Sequence, residues 1–179
     1  MKTVLFWDTS QTGAGVLLSR DGHRYTLHAY QTVKFFSPEG EAQLTTLFTA
    51  AAALKAGTAA EMPQGYDSRG QAIRARANQV IGVLKLLAAQ HGVKWAGDIA
   101  PITAKAALAG GRAKKKDMIL MANAVFGLSL SLPADEHIAD AIGGAMAALD
   151  GRFIQRKTGG KCHKNYAAKQ AAKREGGLL

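Results

Sequence analysis

Thr3-Val4-Leu5-Phe6-Trp7-Asp8, resumed after a polar turn by Gly13-Ala14-Gly15-Val16-Leu17-Leu18, is the stretch that decides the fold. The first run is β-branched and aromatic and reads as a buried strand over residues 3–7, and the second restarts a strand at 13–18. Asp21-Gly22 is a hairpin signal, after which residues 25–36 read as a third strand. Three antiparallel strands therefore precede any helix. Outward from them, Ser37-Pro38-Glu39-Gly40-Glu41 opens a helix over 42–54 with Leu44, Leu47, Phe48 and Ala51 on one face. Residues 55–62 return as a strand ending at Glu61, although Ala, Gly and Lys are poor strand formers. A loop over 63–70 leads to a long helix at 71–91, where Ile73, Ala77, Val80, Ile81, Leu84, Leu87 and Ala88 recur at helical spacing. A strand at 93–99 and helices at 103–109, 113–126 and 134–149 follow. The order β-β-β-α-β-α-β-α-α-α predicts an α/β domain: one mixed five-stranded sheet with helices on both faces. Trp7 and Trp95 fall in strands and are expected in the core.

The 179 residues suit one ordinary domain, and 47% hydrophobic content argues against wholesale disorder. No apolar run approaches the roughly 18 residues of a membrane span. The N-terminal apolar stretch meets Asp8 too early for a signal peptide. The single cysteine, Cys162, excludes an internal disulfide and a cysteine zinc cage, and Cys162-His163 is no metal site by itself. The expectation is a soluble, cytoplasmic protein with no membrane partner. Net charge is +10, and residues 152–179 carry +7 of it, eight Lys/Arg against Glu175 alone. Such a balance suits phosphate neutralisation and counterion release on nucleic acid. The chain thus divides into a folded domain over 1–151 and a basic, flexible tail over 152–179.

Asp135-Glu136-His137-Ile138-Ala139-Asp140-Ala141 opens the last helix. Ile138, Ala141, Ile142, Ala145 and Leu149 form its apolar face, and His137 and Asp140 stand one turn apart on a neighbouring edge. Two potential metal ligands beside an apolar face are costly to bury unless something binds them. Asp8 and Glu61 each end a strand, so Asp8, Glu61, His137 and Asp140 would meet where two strand ends face this helix. Clustered carboxylates repel and protonate unless cations hold them. Oxygen ligands with one imidazole suit Mg²⁺ or Mn²⁺.

These residues resemble the RuvC family of Holliday-junction resolvases, within the ribonuclease H-like superfamily. Asp8 with Gly13-Ala14-Gly15-Val16 is similar to the family's first strand and its return. Glu61 precedes a Pro/Gly loop and a long helix, as the family's second acid does. Lys105 and Gly111-Arg112-Ala113-Lys114-Lys115-Lys116-Asp117-Met118 resemble the family's lysine-bearing segment, and His137-Ile138-Ala139-Asp140-Ala141 its closing acid-or-His, x, x, Asp-Ala. The match runs from about residue 1 to 150 in order. It implies a ribonuclease H-like sheet and a homodimer that cuts four-way DNA junctions symmetrically by two-metal hydrolysis. One ion would activate water and the other would stabilise the leaving 3′ oxygen, about 4 Å apart. Asp8 would contact both ions, Glu61 and Asp140 would complete their shells, and His137 would either ligate a metal or position the water. The strand leading to Glu61 is Ala-rich, which leaves Asp67 as a competing second acid. The basic tail lies outside the resemblance.

The groups expected on DNA are Arg69, Arg74 and Arg76 beside the Glu61 loop, and Lys105, Arg112, Lys114, Lys115 and Lys116 around the later helices. A phosphate at a helix N-terminus would offset the unfavourable three lysines there. Lys105 and Lys115 are the best placed for the scissile phosphate by resemblance. Tyr66 is the aromatic available to stack on an unpaired base. The apolar face of the helix at 71–91 is expected to serve the dimer in part. Three other readings stay open: a ribonuclease H-like nuclease acting on other branched DNA or structured RNA, a non-catalytic basic DNA-binding module, and an actin-like kinase. The last needs two such domains, more than 179 residues supply.

Overall fold

The computed structural model describes residues 2–10, 12–62 and 68–154, with side chains from residue 71 onward in the last of these segments. β1 (Lys2–Asp8) pairs antiparallel with β2 (Thr12–Asp21), and β2 with β3 (Arg24–Lys34). β4 (Gly57–Glu61) runs parallel to β1, and β5 (Lys94–Ile99) parallel to β4, giving the order β3-β2-β1-β4-β5. The expected mixed sheet of five strands is therefore present, with its three antiparallel strands first.

The central position of β1 explains its continuous apolar run, because helices cover both of its faces. Val4 and Phe6 point into one layer and Leu5 and Trp7 into the other. The second layer is covered by α1 (Pro38–Ala53) through Leu44, Leu47 and Phe48, and by α2 (Ser68–Gln90) through Val80, Ile81 and Leu84. The first is covered by α3 (Pro101–Leu108), α4 (Lys115–Phe126) and α5 (Glu136–Leu149). α5 lies closest to the sheet because it is built from small residues. A Cβ on Gly144 would stand 2.0 Å from the Phe6 ring, and one on Gly143 2.6 Å from the Ala104 carbonyl. Glycine at both positions lets the helix bury ten of its fourteen residues.

Element boundaries shift where local chemistry overrides periodicity. β3 ends at Lys34 rather than at residue 36, because Phe36 adopts φ 68° and turns the chain. α1 starts at Pro38, earlier than expected, since Ser37 Oγ accepts from the Gly40 N–H at 3.0 Å and Pro is tolerated in the first turn. β4 is confined to residues 57–61 by Lys55, which has φ 51°. Trp7 is fully buried, its Nε1 donating to Thr58 Oγ1 at 3.0 Å. Trp95 is not a core residue: it is half-buried on the edge strand, with Lys85 Nζ 5.1 Å from its ring centroid.

The apolar residues of α2 divide between two faces. Val80, Ile81, Leu84 and Ala88 are 0–3% exposed and pack against the sheet, so they are spent within the domain. Ile73, Val83 and Leu86 stay exposed on the same helix. Among the described residues no helix is long and apolar enough to cross a membrane.

Candidate active site

The parallel register brings the carboxyl ends of β1 and β4 side by side, with Trp7 opposite Ala60. Asp8 and Glu61, one residue further on each strand, are consequently neighbours. Thr9 Oγ1 ties the two ends together by donating to the Glu61 carbonyl at 2.9 Å. β2 presses against the same corner: a Cβ on Gly13 would lie 2.1 Å from the Asp8 carbonyl oxygen, so only glycine permits this approach.

Asp8 is 3% exposed, and both of its carboxylate oxygens are engaged. Ser10 donates to Oδ1 through its backbone N–H at 3.0 Å and its hydroxyl at 2.7 Å. His137, in the first turn of α5, lies across the corner with Nδ1 2.7 Å from Asp8 Oδ2. This hydrogen bond, reinforced by the charges of Asp8 and Glu136, holds the imidazole above its ordinary pKa against the opposing effect of burial. Asp140, one turn along the helix, is raised by burial and by the Asp8 charge. Glu61 is pushed up to about 8 by burial, then by Asp8 and Asp140. Burial and the charge of Asp8 thus penalise the ionisation of both Glu61 and Asp140.

Cations of the chain answer this only in part. Lys105 on α3 draws Glu61 and Asp140 back down, and Lys115 at the start of α4 does the same for Asp140. Lys115 also forms an ion pair with Glu136. Among the described residues no three His, Cys, Asp or Glu side chains converge tightly enough to hold one ion. His137 and Asp8 are in hydrogen-bond contact, while Glu61 and Asp140 are coupled to Asp8 by charge. Their chemistry still fits a hard divalent cation, because buried carboxylates that force a proton onto Glu61 are relieved by positive charge.

Of the expected DNA contacts, Lys105 and Lys115 act on the acids, and Arg76 lines, with Thr9, Ser10, Ala72 and Ile73, a cleft of about 400 Å³ next to the end of β1. Arg74 is exposed on the same helix. Arg112, Lys114 and Lys116 are exposed along the turn into α4 and its first residues. Asp117 accepts from the Lys114 N–H at 2.8 Å and supplies that helix start with an acid, which lessens the lysines' mismatch with the helix dipole. Tyr66, Asp67, the Arg69 side chain and residues 155–179 lie outside the described residues.

Sequence reasoning missed Ser10, Thr9 and Glu136. The Asp-x-Ser spacing is a turn signature in which a carboxylate accepts from the residue two positions on, and it was available for Ser10. Thr9 acts on Glu61, a partner distant in sequence, and had no such local sign; Glu136 acts on the adjacent His137 and on the distant Lys115.

No protein-family model matches the sequence, and no curated protein matches it. Solved structures do. RuvC from Thermus thermophilus in complex with a Holliday-junction substrate is 23% identical, with a TM-score of 0.66 over 85% of this chain and 96% of that one. A further T. thermophilus RuvC structure is 22% identical, with a TM-score of 0.61 over 84% of this chain and 95% of that one. The chain has a RuvC-like, ribonuclease H-like α/β fold.

Proposed function

We propose that the protein is a metal-dependent endonuclease that resolves four-way DNA junctions as a homodimer. The observation carrying this reading is the electrostatic strain on Glu61 and Asp140 around the buried Asp8, where two strand ends meet a helix in a RuvC-like fold. A purely structural corner would not retain three carboxylates at such cost without a cation to join them. Asp8, Glu61 and Asp140 would hold Mg²⁺ or Mn²⁺, with His137 as a further donor. Bound there, such ions supply a Lewis acid for the phosphoryl oxygens and a hydroxide near neutral pH.

The chain's own residues prepare the rest. Ser10 fixes the Asp8 carboxylate from one side and His137 from the other, so the most buried acid is preorganised. His137, favoured in its protonated form, balances charge in the metal-free corner and can exchange a proton with solvent from its partly exposed ring. Lys105 biases two of the acids, which supports a role for it in meeting a scissile phosphate. Arg76 on the adjoining cleft, together with Arg74, Arg112, Lys114 and Lys116, supplies phosphate contacts that position the substrate. Two symmetric nicks require two such sites, which a two-fold dimer supplies. We further propose that Glu61 rather than Asp67 is the second acid, and that residues 152–179 form a basic arm contributing affinity for any DNA shape.

The test is cleavage of a four-way junction against matched duplex, single strand and RNA–DNA hybrid, with and without Mg²⁺ or Mn²⁺. Paired nicks in strands of like polarity, only on the junction and only with metal, are expected. Preferential cutting of flaps or structured RNA would transfer the site to another nuclease, and binding without cleavage would leave a DNA-binding module. A mass measurement giving a monomer at tens of micromolar, with and without junction DNA, would count against the dimer.

A further inference from the structure

A second concave surface lies at the opposite end of the sheet from Asp8 and Glu61. The seven residues of β1, at ~3.3 Å per residue, separate the two by roughly 20 Å. This groove, of about 860 Å³, is formed by the amino-terminal ends of β1, β4 and β5 and the last turn of α5. Its size is that of a small-ligand or short-peptide site. Lys2, Lys55 and Lys94 ring it, and among the described residues no Asp or Glu lines it. Asp150, the acid next to it in sequence, is held away by Arg20, Arg152 and the Tyr25 hydroxyl. Inside the ring the lining is mostly apolar: Leu54, Phe153 and the edges of Val4 and Leu149, with half-buried Trp95 as a wall.

We propose that this groove binds an acidic peptide segment carrying one aliphatic or aromatic side chain. The lysines would meet spaced carboxylates, and the apolar interior would take the side chain between them. Peptide is favoured over nucleic acid on two grounds. Among the described residues the lining cations are all Lys, without an Arg to fork onto phosphate. Lys85 already stands over the Trp95 ring, where a base would stack. The chain's own tail is a poor occupant, since residues 155–179 are themselves basic. Moreover, Phe153 packs on Gly97, and the Ile154 N–H donates to the Asp98 carbonyl at 2.8 Å. Phe153 and Ile154 thus run beside Gly97 and Asp98 of β5.

The experiment is fluorescence anisotropy of a labelled Asp/Glu decapeptide containing one Phe, titrated with the full-length chain. Saturable binding below 1 mM is expected, weakened at least fivefold when the peptide Phe is replaced by Ala. It should weaken at least tenfold in the Lys55→Glu, Lys94→Glu double variant. Both lysines are exposed, so the variant should fold, and its metal-dependent nuclease activity should stay within twofold of the parent. Three results would overturn the proposal: no saturation at 1 mM, equal binding by the double variant (polyanion capture by the tail), or tighter binding of a ten-nucleotide oligo(dT) that the same variant abolishes. The readout is independent of cleavage, so the peptide site and the nuclease reading fail separately.

Discussion

Replacing Glu61 with Gln should stabilise the metal-free protein at alkaline pH while removing its nuclease activity. Burial together with Asp8 and Asp140 moves the Glu61 carboxyl from 4.5 to about 8. The folded state therefore keeps a proton that the unfolded chain releases, and stability falls as pH rises across that window. Asp140 and His137 are both raised as well, so their contributions are lost in the same direction. At about 1.4 kcal/mol per pH unit, the Glu61 displacement sets an upper bound of about 5 kcal/mol. Glutamine has its own desolvation cost of ~1–3 kcal/mol, which leaves a net gain of about 2 kcal/mol at pH 9. For a chain of this size that is a rise in Tm of roughly 4–8 °C. At pH 5 the carboxyl is already protonated in the folded state, and the gain should vanish. Thermal denaturation of parent and variant in EDTA from pH 5 to 9 measures this. Addition of Mg²⁺ should raise the parent's Tm more at pH 9 than at pH 5 and act much less on the variant. Equal Tm values for parent and variant across the range, or a loss of stability at pH 9, would refute the claim that Glu61 is strained by its neighbours.

Asp140→Asn should keep the fold and junction binding but lower cleavage by at least ~10²-fold, the scale for removing one charge-stabilising group from an active site. A parallel assay should find Asp67→Asn active, and the reverse pattern would make Asp67 the second acid. Gly144→Ala should destabilise the protein by about 3 kcal/mol or more, because the new methyl meets the Phe6 ring at 2.0 Å inside a packed layer; urea denaturation reads this, and a cost below ~1 kcal/mol would show that α5 can shift. Deleting residues 156–179 should weaken binding to all DNA shapes and lower the slope of log K against log salt by about 0.9 for each phosphate the shortened chain no longer neutralises. Junction preference and cleavage should survive that deletion, and their disappearance would make the tail a reader of shape.

The order of elements was legible in the sequence because it rests on local period and turn chemistry. The apolar run at residues 3–7, the Asp21-Gly22 hairpin and the spacing along α2 and α5 each act within a few residues of themselves. The four candidate groups were legible for a related reason: Asp8 and Glu61 end strands, and His137 and Asp140 share a helix edge, positions that secondary structure alone assigns. What the tertiary structure decided is which of these meet and at what cost. The parallel β1–β4 register puts Asp8 beside Glu61, and the close seat of α5, permitted by Gly143 and Gly144, brings His137 onto Asp8. The strain on Glu61 arises from burial and from charges distant in sequence, so no local pattern carries it. The same holds for the errors. The apolar spacing of α2 has one period whether it faces a sheet or solvent, and only the packed sheet shows that Val80, Ile81 and Leu84 are buried while Ile73 is exposed. Trp95 fits a core strand by pattern, yet β5 is the sheet's edge, and strand order is set by pairing between segments that lie far apart in the chain.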